Sequence, residues 1–65
     1  MDVEEIMALV VLYAGEMYEV HVHRNNNRLA DQYNRAACYT LTAIRYRLER
    51  AAALLEESTD SGLRD

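Results

Sequence analysis

Residues 17–34 read MYEVHVHRNNNRLADQYN, and the architecture follows from how that run is parsed. Asn25, Asn26 and Asn27 are poor helix formers that accept left-handed backbone angles, so three in a row mark a cap and a turn. Upstream of them Val3, Ile6, Val10, Tyr13, Met17 and Val20 recur at alternating three- and four-residue spacing. Downstream, Asn34, Ala37, Leu41, Ile44, Leu48, Ala51 and Leu55 do the same. This period belongs to an apolar stripe on a helix. Two such stripes joined by a short polar break predict an all-α fold, an antiparallel two-helix hairpin with the stripes facing each other.

The ends of each helix can be placed from local chemistry. Asp2 with Glu5 three residues on gives an N-cap and an acidic first turn, and Glu4 adds charge at the positive end of the helix dipole. His21, His23 and Arg24 suit the negative C-terminal end. The first helix is therefore expected over about 2–23, the turn over 24–27 and the second helix over about 28–57, with no proline to interrupt either. Residues 58–65 are polar, carry Gly62 and lack periodicity, so they read as a flexible tail. Gly15 is costly inside a helix and, beside Ala14, would let another helix come close. A competing reading takes Tyr18, Val20 and Val22, alternating with Glu19, His21 and His23, as a strand that pairs between two copies.

Sixty-five residues form at most one small domain. A lone hairpin has one seam to bury, and chains this short usually add disulfides, a metal or self-association. Cys38 is the single cysteine, so no intrachain disulfide can form, and no Cys/His cluster points to structural zinc. The expectation is a homodimer, a four-helix bundle or coiled-coil-like assembly. Tyr39, Ala43, Tyr46 and Ala53 lie on the second helix away from its main stripe and offer a second face for that purpose. Asn34, polar within the stripe, can fix register or oligomeric state. The second helix also outruns the first, and Ala51 to Leu55 at its overhanging end need cover.

The net charge of −4 disfavours a generic nucleic-acid binder. All seven basic residues are arginine, which together with the many alanines fits a GC-rich coding sequence. Asp2, Glu4 and Glu5 stand where a secretory leader would be positive, and the apolar run from Ile6 to Ala14 falls short of the roughly 20 residues that span a bilayer. A soluble, cytoplasmic protein without membrane attachment is expected.

Few residues carry candidate chemistry. Glu16, Glu19 and His23 share one helical face, as ligands in carboxylate bundles do, but the second helix supplies no matching Glu-x-x-His. His21 and His23 point roughly 200° apart on a helix and cannot chelate one ion. The Glu16-Met17-Tyr18-Glu19 spacing resembles the acidic helix of all-α nucleotide pyrophosphohydrolases, yet the second acidic motif of those enzymes is missing and no kinship is inferred. Cys38, between Ala37 and Tyr39, reads as an inert core residue. No catalytic residue, bound metal or cofactor is expected.

Arginines are the remaining candidates. Arg24, Arg28 and Arg35 share a face, but Arg28–Asp31, Asp31–Arg35 and Arg45–Glu49 stand at intrahelical pairing distance. Arg47 and Arg50 lack such partners and lie near Tyr46, and tyrosine with arginine is a common interface anchor. Tyr39, Tyr46, Arg47, Arg50 and Leu54 are thus the expected partner-binding set. Val3, Ile6, Val10, Met17, Ala37, Leu41, Ile44, Leu48 and Leu55 are the expected core or dimer seam. The function these features favour is a non-catalytic protein-interaction module, an adaptor or inhibitor that works as a homodimer on another, unidentified protein. Its size, acidity and coding bias would suit a phage or mobile-element antagonist of a host system. The alternatives are a dimeric nucleic-acid-binding regulator using the second-helix arginines, and a metal-binding bundle built on Glu16, Glu19 and His23.

Overall fold

A computed structural model describes residues 2–63, with side chains described through residue 57. It contains two helices, α1 (Val3–Val22) and α2 (Asn27–Leu63), packed antiparallel as a hairpin. No strand occurs among the described residues, so the intermolecular-strand reading of 17–23 is overturned: α1 runs unbroken through Val22. The β-branched residues Val20 and Val22 weigh little here, because one strand without a partner leaves its backbone polar groups unpaired whereas a helix satisfies its own.

Both helix starts are capped as their sequences imply. Asp2 Oδ1 accepts from the Glu5 amide at 3.1 Å, and Asn26 Oδ1 accepts from the Leu29 amide at 3.2 Å. The turn closes through amide donation from His23 to the Glu19 carbonyl and from Asn26 to the His23 carbonyl. Arg24 also donates from its guanidinium to the His21 carbonyl at 3.1 Å, which satisfies one of the carbonyls orphaned at the end of α1. None of the three asparagines adopts a positive φ among the described residues. They serve as cap and linker, and their tolerance of left-handed angles is not used.

α2 ends at Leu63, six residues beyond the boundary expected at 57. Residues 64 and 65 lie outside the described residues. Once a helix is running, each further residue adds a hydrogen bond at small cost, and Ser, Thr and Asp oppose it only weakly. The molecule is a rod of 59 × 17 × 11 Å with a radius of gyration of 16.7 Å. A compact chain of this length would have a radius of gyration of about 11 Å. Asp2 shares a cleft with Ala51 and Leu54, which places the start of α1 level with that part of α2.

The seam between the helices sets alanines of α2 against larger side chains of α1. Ala37, Thr40 and Ile44 are the only buried residues among those described, flanked by half-buried Tyr33, Ala36, Ala43, Arg47 and Ala51. α1 meets them with half-buried Ile6, Leu9, Tyr13, Glu16, Val20 and His23, and none of its residues is buried. The two sequence stripes therefore do not meet face to face. Val3, Val10, Met17, Leu41, Leu48 and Leu55 are exposed, and only Ile6, Ala37 and Ile44 of the expected seam lie in the hairpin contact. At 100° per residue, each helix is turned by about 60–70° from the orientation the stripes imply. Cys38 is exposed, not a core residue, for the same reason.

The Asn26 cap yields a direct test. Asn26→Ala should lower the unfolding free energy by about 1 kcal/mol, measured by urea denaturation, while Asn25→Ala should leave it nearly unchanged.

Candidate interaction surface

The rotation of the helices sorts their remaining side chains onto two broad sides of the rod. On α1, Val3, Val10 and Met17 flank the contact stripe on one edge, and Glu5 and Leu12 on the other. On α2, Leu41 and Leu48 flank it on one edge, and Tyr39, Tyr46, Arg50 and Leu54 on the other. Because antiparallel helices turn in opposite senses when viewed from one end, the Val10–Met17 edge and the Leu41–Leu48 edge fall on the same broad side. The ion pair between Glu5 and Arg47 holds the opposite edges together and agrees with that geometry.

The first side is largely apolar. Val3, Val10, Met17, Leu41, Leu48 and Leu55 are all exposed along it. Asn34 and His21 are polar residues on it, and Arg45, paired with Glu49 at 2.7 Å, stands at its α2 edge. The apolar surface continues around the back of α1 through Met7, Val11 at 71% exposure, and Tyr18. A helix with apolar side chains around most of its perimeter belongs in an interior, yet α1 touches one neighbour. Around Gly15 no atom lies within 4 Å of where a Cβ would sit. The close helix approach expected there is not made by α2.

The second side is polar. Arg47 was expected to be free for a partner; instead its Nε donates to Glu5 Oε1 at 2.6 Å and its Nη1 to the Ala43 carbonyl at 3.1 Å. Sequence spacing could not reveal this pair, because it is non-local and depends on the register of the hairpin. Arg47 therefore joins the two helices. Tyr39 is 80% exposed, Tyr46 and Leu54 are exposed, and among the described residues Arg50 reaches the Tyr46 hydroxyl, at 3.5 Å. Of the expected partner-binding set, Tyr39, Tyr46, Arg50 and Leu54 are thus presented outward.

A cleft of about 210 Å³ opens here between Asp2, Glu5, Ile6, Arg47, Arg50, Ala51 and Leu54. It is smaller than the roughly 300–1,000 Å³ of ordinary small-molecule sites. A hollow of about 440 Å³ beside Tyr39 is larger but is walled by α2 alone, from Arg28 to Tyr39. Neither encloses a small substrate.

The carboxylates and histidine of α1 are engaged within the hairpin. The buried Thr40 hydroxyl donates to Glu16 Oε1 at 2.5 Å, and His23 Nε2 lies 3.1 Å from Glu19 Oε2. The His23 ring stacks on Tyr33 with centroids 5.7 Å apart. Among the described residues no three His, Cys, Asp or Glu side chains are grouped to hold a metal ion. Arg35 pairs with Asp31 at 3.1 Å and Arg45 with Glu49, so several of the arginines proposed for phosphate contact are locally neutralised. No described helix is long and apolar enough to cross a membrane.

No protein-family model matches this chain, and no curated protein or solved structure matches it. Tyr39→Ala and Arg50→Ala should each change the unfolding free energy by less than about 0.5 kcal/mol. A loss well above that in urea denaturation would show that these side chains hold the fold together and are not free to meet a partner.

Proposed function

We propose that this chain is a small, non-catalytic protein-interaction module that works as a homodimer. One observation carries the reading: the hairpin buries three residues, while fourteen large apolar side chains remain exposed among those described. Monomeric proteins rarely leave contiguous apolar surface of that extent open, and where they do it marks an interaction site.

Burying the apolar side would supply what the hairpin cannot, since a two-helix core is too small to offset chain entropy alone.

The outward tyrosines, Arg50 and Leu54 have the composition of a partner-binding edge, in which a few aromatic and arginine anchors carry most of the binding energy. We assign the contact with another protein to that side, in an adaptor or inhibitor role. Light scattering on the purified chain tests the reading: it predicts a mass of twice 7.5 kDa with helical circular dichroism. A helical species at the single-chain mass at about 10–100 µM, where typical self-association is complete, would contradict it.

A further inference from the structure

The apolar broad side can be assigned an occupant from the direction in which its side chains point. In a four-helix bundle each helix has two close neighbours and aims its apolar stripe at the central axis, between them. The stripe is then turned by about 45° from the line to either neighbour, as the square arrangement of four helices requires. Both stripes of this hairpin are turned from the α1–α2 contact by about 60–70°, judged at 100° per residue, and both toward the same broad side. A self-contained two-helix coil would leave no such offset. The offset describes half of a bundle, with two further helices missing from the apolar side.

We infer that a second copy of this chain docks on that side, with Val3, Val10, Met17, Leu41 and Leu48 of both copies forming the inter-chain core. The inference rests on the homodimer reading and deepens it by fixing the face. A second copy supplies two helices of matching length and the same stripe, as a self-complementary two-fold interface demands. Arg45, on the α2 edge of this face, is paired with Glu49 at 2.7 Å, so two copies meet without setting unpaired like charges against each other despite a net charge of −4 on each. Asn34 lies within it as a polar residue that pairs best in one register. The arrangement separates two tasks: the apolar side makes the dimer, and the Tyr39, Tyr46, Arg50 and Leu54 side remains open. Of the two faces the sequence offered for self-association, the main stripe and the tyrosine face, this selects the first.

Three variants measured by light scattering and circular dichroism test the inference: Val10→Glu/Met17→Glu, Leu41→Glu/Leu48→Glu and Tyr39→Glu/Tyr46→Glu. All six positions are exposed in the hairpin, so the substitutions leave its internal seam intact. The first two should weaken self-association by on the order of a hundredfold or more, since each buries unpaired charge. The tyrosine variant should stay dimeric. Should either apolar-face variant lose helicity as well as mass, mixing Val10→Glu/Met17→Glu with Val10→Lys/Met17→Lys should restore a helical dimer through opposite charges. Dimers that survive both apolar-face variants, dissociation by the tyrosine variant, or a mixture that fails to recover would each overturn the face assignment while leaving a dimeric wild type standing. A monomeric, folded wild type would instead remove the homodimer reading on which the inference rests.

Discussion

Two helices can share only one seam, and in this protein that seam is narrow. Ala36, Ala37, Ala43 and Ala51 let α1 and α2 lie close together, but small side chains bury little area. At about 25 cal/mol per Å² of apolar surface, such a contact contributes far less than the ordering of two long helices costs. Everything else about the molecule follows from this shortfall. Many of the large apolar side chains of both helices, Val10, Met17, Leu41 and Leu48 among them, stand outside the seam, and α1 is apolar around most of its perimeter.

The polar contacts within the seam settle which faces meet. Thr40 with Glu16, Arg47 with Glu5 and His23 with Tyr33 span the hairpin at three levels, near the middle, the open end and the turn. Each requires the α1 face that carries Glu16 and His23 to lie toward α2. With that face inward, Val10 and Met17 must turn aside. Buried polar groups left unpaired are expensive, and no buried side-chain nitrogen or oxygen among the described residues lacks a partner. The apolar stripes, which tolerate any greasy neighbour, yield to the groups that do not.

This explains what could be read in the residues before the structure and what could not. The caps at Asp2 and Asn26, the turn and the hairpin are local or periodic features, and they were legible. The facing of the helices was not, because a stripe reports where the interior lies and not which neighbour fills it. Val3, Val10 and Met17 were read as core or dimer seam, and the sequence alone could not say which; they are exposed in the hairpin. Arg47 was taken as a free anchor because its partner Glu5 is 42 positions away in sequence. Tyr39 and Tyr46 were correctly placed away from the main seam, but exposure alone does not say what they meet.

The account holds that the hairpin gains most of its stability by burying its apolar side in assembly. Thermal unfolding followed by circular dichroism over about a hundredfold range of protein concentration tests this most directly, since stability gained through association depends on mass action. The account predicts a midpoint that rises steadily with concentration. A cooperative transition at one temperature across the whole range would show that the isolated hairpin is stable by itself, and would contradict it.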